Sequence, residues 1–333
     1  MAVHPQHFPS TRLRRLRQAP WIRSLAAETV LTPSDLVWSL VIHDGDERHI
    51  DVPSMPGAPR YSVSAAAEAA KRAERLGIPA IAIFPNIDPA KKDEVGVESM
   101  NPDGLVPTAI KAMKDAAPGV GIVCDVALDP FTSHGHDGLI DDTGRVLNDA
   151  TTDLLVAQAL LQARSGADVV GPSDMMDGRV GAIRAALEEE GLTDTLILSY
   201  AAKYASGFYG PYRDAIGSAT ALVGDKKTYQ QDPANSDEAL REVAMDIDEG
   251  ADLVMVKPGL PYLDIVQRVS ETFGLPTLAF QVSGEYAQIK AAAAQGWIDG
   301  DRVMMETLLS FKRAGAAAVL TYFAETAAET LGA

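Results

Sequence analysis

Six times along the chain a helical stretch runs into a glycine and then into a short, mostly β-branched run. The segments are AERLGIPAIAIF, ARSGADVVGP, EEEGLTDTLILSY, DEGADLVMVKP, TFGLPTLAF and RAGAAAVLTYF. A glycine just past a helix supplies the left-handed residue that ends it, and the run that follows is too short and too apolar for a surface helix. APGVGIVCDV is a seventh variant, and SDLVWSLVI opens the series without such a helix before it. The punctuation predicts strands near residues 36–42, 80–84, 121–127, 168–171, 195–200, 252–257, 277–282 and 318–322. Helical patterns lie between them. SDEALREVAMDIDEG sets Leu240, Val243 and Ile247 on one face, with Asn235 and Glu238 spaced as a capping box. TTDLLVAQALLQARSG sets Leu154, Ala157 and Leu161 on one stripe. Strands that read as continuous apolar runs are buried on both faces, as in a parallel sheet covered by helices. Eight of them in 333 residues favour an α/β fold of the closed (β/α)8 TIM-barrel type. An open doubly wound sheet is the competitor, weakened in its dinucleotide-binding form because no GxGxxG follows an early strand.

One segment stands outside this rhythm. TRLRRLRQAPWIRSL carries Arg12, Arg14, Arg15, Arg17 and Arg23 without an acid, in a chain of net charge −17. Arg-rich, acid-poor stretches also mark transit peptides, but this one is not Ser-rich and Pro20 interrupts a long amphipathic helix. An arm lying on a neighbouring acidic subunit is the better reading. The expected organisation is an N-terminal arm over residues 1–30 and a single barrel domain over 31–333. The acidic balance argues against general nucleic-acid binding, and no apolar run reaches the length needed to span a bilayer. The single cysteine, Cys124, excludes an internal disulfide and suits a reducing, cytoplasmic setting.

In such a barrel chemistry belongs at the carboxyl ends of the strands. The residues there are Asp125 and Asp129, Ser173 and Asp174, Lys203, Lys257, Ser283 and Tyr322. Lys203 and Lys257 fall at matched positions on successive strands, where two amines converge on one pocket. Like charge and desolvation both push lysine pKa values down, and a neutral amine is the species that attacks a ketone to form a Schiff base. The plain alternative is that each lysine snorkels to the rim. After Lys203, YASGFYGPYRDAIGSATALVGDKKTYQQDP runs about thirty residues before the next helix, far beyond an ordinary connection. A lid over about 203–232, carrying Arg213, Lys226 and Lys227, would suit a substrate with a carboxylate. A solvated loop is the bland reading. The stretch DVALDPFTSHGHDG packs three aspartates and two histidines into fourteen residues, which suggests a metal without deciding one.

Four motifs, MVKPGLPYLDIV, GPSDMMDGRV, SYAAKYASGFYGPYRDA and FQVSGEYA, resemble the porphobilinogen synthase (5-aminolaevulinate dehydratase) family, and the resemblance covers nearly the whole chain. It implies condensation of two 5-aminolaevulinate molecules to porphobilinogen with loss of two waters, an early step of tetrapyrrole (haem) biosynthesis. It implies a Schiff base on Lys257 in the P site and another on Lys203 in the A site. Ser283 and Tyr322 are implied to hold the P-side carboxylate, and Arg213, Lys226 and Gln230 the A-side one. Asp125 and Ser173 are implied to surround the A-site amine and its proton transfers. Zinc-dependent relatives carry cysteines at the positions of Ala127, Asp129 and Asp137, so no catalytic zinc is expected here, because carboxylates suit magnesium or water better. Glu242 matches a glutamate that binds an activating magnesium in some relatives. No organic cofactor is implied, and assembly to a homo-octamer through the arm is. Without the resemblance, a class I aldolase-like lyase on another keto acid is the competing enzyme, and a barrel kept as a binding scaffold the competing non-enzyme.

Overall fold

The computed structural model describes residues 7–218, 222 and 224–332. The expected arm, barrel domain and lid each include residues outside these, namely 1–6, 333 and 219–221 with 223. The strands are β1 (Leu36–His43), β2 (His49–Ile50), β3 (Arg60–Ser62), β4 (Ala80–Asn86), β5 (Gly121–Val126), β6 (Val169–Pro172), β7 (Leu196–Lys203), β8 (Leu253–Lys257), β9 (Thr277–Gln281) and β10 (Ala318–Thr321). β1 and β4 to β10 pair in parallel in chain order, and β10 pairs back to β1, with Leu36 opposite Val319 and Trp38 opposite Thr321. The sheet is therefore closed, and the open alternative is set aside. Each of the eight expected runs is one of these strands.

The reason lies in the punctuation. Gly77 and Gly315 sit at φ of 73° and 99°, and the four other glycines of the series are also at positive φ, where a side chain would be strained. Each ends its helix and turns the chain into the next strand. Leu36, Ile42, Ile81, Phe84 and Phe280 are buried to within about 1%, each contributing roughly 1.5–3 kcal/mol of transfer free energy.

One element goes unpredicted and two local expectations fail. The short antiparallel pair β2 and β3, which joins the outer half of β1, is too brief for periodicity to register. Helix Asp237–Asp248 has Ser236 at its N-cap. Asn235 lies one residue early, so its amide reaches the Glu238 carboxylate (2.7 Å) rather than capping the backbone. In helix Asn148–Arg164 the buried stripe is Thr151, Leu155, Gln158, Ala159 and Gln162, while Leu154, Ala157 and Leu161 are only half-buried. Two glutamines on the core face disguised the stripe. Their amides donate to the carbonyls of Ala127 (3.3 Å) and Asp125 (2.9 Å), so they brace the end of β5 from outside.

The N-terminal segment forms a 3-10 turn, Leu13–Arg17, and a short helix, Pro20–Leu25. Among the described residues its side-chain hydrogen bonds stay within the segment, as when Arg15 donates to Ser10 and Arg23 to Arg17. Leu13, Leu16, Trp21 and Leu25 are all more than half exposed. No helix of the described residues is long and apolar enough to cross a membrane.

Candidate active site at the carboxyl end of the barrel

Lys203 and Lys257 are the last residues of β7 and β8 and face each other in register. A β-bulge makes this so. Ser199 pairs with Val254 but Ala202 pairs with Val256, so two residues, Tyr200 and Ala201, oppose Met255. Were the same residues paired one to one beyond Ser199, Ala202 would sit beside Lys257, and Lys203 would point to the opposite face. Ser199, at the start of the bulge, is held from behind. Its hydroxyl donates to Asp246 (2.6 Å) and accepts from Arg179 (3.2 Å), and Arg179 pairs with Asp246 at 2.5 Å, all of it buried.

The surroundings of the two lysines differ. Lys203 Nζ donates to Asp137 Oδ1 (3.1 Å) and to the backbone carbonyl of Ser173. Asp137 also accepts from Lys226 (2.5 Å) and the Tyr229 hydroxyl (2.8 Å), and Lys226 reaches Asp129 at 3.1 Å. Burial opposes ionisation of Asp137, but the charges of Lys203 and Lys226 outweigh it and hold the carboxyl well below the usual range. The same carboxylates, against burial, hold Lys226 above the ordinary lysine value.

Lys257 Nζ instead stands among rings, 4.8 Å from the centre of Phe280, 5.0 Å from Tyr200, 5.3 Å from Tyr212 and 5.5 Å from Tyr209. Among the described residues no carboxylate lies within ion-pair distance of it. Burial, and then the charge of Lys203, push its amine down to about 7. The expectation of two alike amines is thus corrected: one is ion-paired, the other lies in an aromatic box. Asp125, on β5, is buried and pushed up to about 6 by desolvation, which the charge of Lys257 opposes. One of its oxygens has no hydrogen-bond partner among the described residues.

Lys203, Lys257, Asp129, Ser173, Tyr209, Tyr212, Arg213, Lys226 and Gln230 line one cleft. Its free volume is about 20 Å³, room for little more than one water. Ser283 and Tyr322 lie behind the aromatic wall. The Ser283 hydroxyl accepts from the backbone N–H of Tyr212 (2.8 Å), whose ring faces Lys257. Tyr322 packs on Phe280 with ring centres 6.2 Å apart, and its buried hydroxyl has no partner among the described residues. Burial and the Asp125 charge push that phenol well up, so it is a hydrogen-bond donor. Glu242 is elsewhere, half-buried on helix Asp237–Asp248, in a separate open cleft with Arg145, Asp177, Lys227 and Glu238. His134 meets the Glu94 carbonyl (3.1 Å) and His136 the Tyr229 hydroxyl (3.2 Å). Among the described residues no three His, Cys, Asp or Glu side chains are grouped to hold a metal.

Residues 10–330 match the family model described as delta-aminolevulinic acid dehydratase. The chain belongs to this family. A delta-aminolevulinic acid dehydratase of Bradyrhizobium diazoefficiens is 61% identical over 330 residues, 99% of this chain and 93% of that one. One from Rhodobacter capsulatus is 54% identical over 98% of both chains. The crystal structure of the Toxoplasma gondii ME49 enzyme in complex with the reaction product porphobilinogen superimposes with a TM-score of 0.94, at 50% identity, over 96% of this chain and 91% of that one. Against the family resemblance read from the motifs, the structure adds residues that the motifs did not flag: Tyr229, the Arg179–Asp246–Ser199 cluster and the rings around Lys257. The tyrosines of SYAAKYASGFYGPY carried a usable signal, since four of them flank a strand-end lysine.

Proposed function

We propose that this chain condenses two 5-aminolaevulinate molecules to porphobilinogen, releasing two waters. The observation that carries the reading is a pair of strand-end lysines brought into register by a bulge within a member of this family. The neutral amine of Lys257 attacks the ketone carbon of one substrate, and loss of water from the carbinolamine leaves an imine. Lys203 forms the corresponding imine with the second substrate once it leaves its ion pair with Asp137 and gives up a proton to water. A protonated imine draws electrons more strongly than a ketone, which eases both carbon–carbon and carbon–nitrogen bond formation. Holding both substrates in one pocket removes the entropy cost of their encounter. Asp125, poised near neutrality, exchanges protons beside the amines. Ser283 and Tyr322 donate to the P-side carboxylate, and Arg213, Lys226 and Gln230 serve the A-side one, as a lid over about 203–232. Because the cleft is so small, this lid opens to admit substrate, and Lys226 exchanges Asp129 for the substrate carboxylate.

No organic cofactor takes part in this scheme, and we propose no catalytic zinc. In support, Asp129 and Asp137 spend their oxygens on Lys226, Lys203 and Tyr229, and hard carboxylates are poor substitutes for zinc thiolates. Glu242 is the proposed holder of an activating magnesium, an ion that keeps several waters and needs few protein ligands. The test is porphobilinogen formation after exhaustive chelation, followed by single-metal add-back. Activity is expected to persist and to rise with magnesium but not zinc; loss restored only by zinc sinks the metal assignment. The reading extends to self-association, with the arm of residues 1–30 covering a second copy in the cytoplasm. Its exposed Leu13, Leu16, Trp21 and Leu25 support this. Deleting residues 1–25 is expected to shrink the assembly in sedimentation, and an unchanged size counts against it.

A further inference from the structure

We propose that Glu285 is a positioning residue that fixes the spacing between Lys257 and Ser283 and thereby selects the chain length of the keto acid bound on the Lys257 side. The proposal rests on the assignment of Lys257 and Ser283 made above. Glu285 lies in the first turn of helix Ser283–Ala294 and is 1% exposed. One oxygen accepts from the backbone N–H of Leu260 at 2.6 Å; the other accepts from Val282 at 2.7 Å and from Gly259 at 3.4 Å. No cation pairs with it among the described residues, and burial pushes its carboxyl up to about 7, against the pull of those three N–H groups.

A glutamate at this place in a helix ordinarily bonds only the N-cap amide, here that of Val282. The two further bonds cross to the loop after β8, to Gly259 and Leu260, which follow Lys257 and Pro258. A buried carboxylate without a counter-charge is costly, and here it joins the loop after β8 to the loop after β9. The β8 loop is held from the other side as well. A Cβ on Gly259 would lie 2.5 Å from the Phe311 ring and 3.0 Å from the Phe280 carbonyl, so the backbone is wedged there. The Lys257 carbonyl itself accepts from the Tyr204 N–H (2.9 Å) and the Tyr209 hydroxyl (3.2 Å). A keto acid held at both ends has its ketone carbon on Lys257 and its carboxylate on Ser283. The distance between those two elements then sets how many carbons fit between the groups, and Glu285 is the strut across that distance.

The test uses the full chain, borohydride reduction and peptide mass spectrometry. Reduction with 5-aminolaevulinate reads the yield at Lys257 and Lys203 separately. Parallel reductions with 4-oxopentanoate and its one-carbon-longer homologue, 5-oxohexanoate, read chain-length selection at Lys257. In Glu285→Gln, one acceptor becomes an NH2 group facing backbone N–H donors. The expected result is a fall of roughly ten- to a hundredfold in kcat/KM, a loss of label at Lys257 but not Lys203, and a weaker preference for 4-oxopentanoate. Glu285→Asp, which keeps the carboxylate, should recover part of both label and preference. The proposal is overturned if both variants keep wild-type yield and selectivity at Lys257, or if label falls equally at both lysines along with Tm. Absence of label at Lys257 in the unmutated protein removes the assignment itself, and this proposal with it.

Discussion

Lys203 and Lys257 are cross-strand neighbours of the same chemical type, yet they live in opposite electrostatic settings. On the Lys203 side, Asp129 and Asp137 interleave with Lys203 and Lys226 in a buried lattice of charge. On the Lys257 side, four rings face the ammonium and no carboxylate lies within ion-pair reach among the described residues. An aromatic face attracts a cation but relieves its desolvation less than a carboxylate does. The difference teaches that readiness to react can be divided between two identical side chains by what stands opposite them. Lys257 is kept close to the neutral, nucleophilic form, whereas Lys203 must first be released from Asp137. Substrate on the Lys257 side is therefore expected to be captured covalently first.

The largest effect comes from removing either amine. Lys257→Met and Lys203→Met are each expected to lower the rate of porphobilinogen formation by about a thousandfold or more, since a covalent step loses its nucleophile. Trapped label should persist on the remaining lysine when Lys203 is replaced, and diminish there when Lys257 is. Label that survives equally in both variants breaks the proposed order. A smaller effect concerns pH. The neutral fraction of Lys257 grows as pH rises through about 7, so the rate of label capture at Lys257 should climb across that range and level off above it. In Lys203→Met the neighbouring positive charge is gone, the ammonium of Lys257 is less disfavoured, and the midpoint should move upward. A midpoint that stays or falls shows that the two lysines do not sense each other.

Much of this was legible in the sequence because it is local. Glycine stops and short apolar runs placed all eight barrel strands, and strand ends placed Lys203, Lys257, Ser283 and Tyr322 at one mouth. What stayed hidden depends on partners distant in the chain. The charge lattice joins Asp137 to Lys226, and Glu285 works through the amides of Gly259 and Leu260; no spacing rule connects them. The bulge at Tyr200–Ala201 leaves no mark of its own, because an extra residue in an apolar run still reads as an apolar run. The glutamines of helix Asn148–Arg164 misled the pattern for a related reason, being polar side chains turned inward for backbone carbonyls.

The ring of strands is sealed only where β10 meets β1, and Tyr322 follows directly on β10. During synthesis the first strand must wait, with its Leu36–Trp38 edge unpaired, until β10 has left the ribosome. The reaction chamber is consequently finished only once β10 is made, and a nascent chain that stops short of it has no amine pair enclosed for catalysis. Such late closure exposes a strand edge to wrong pairing for the duration of translation, which makes the seam the place where misassembly of this enzyme would begin.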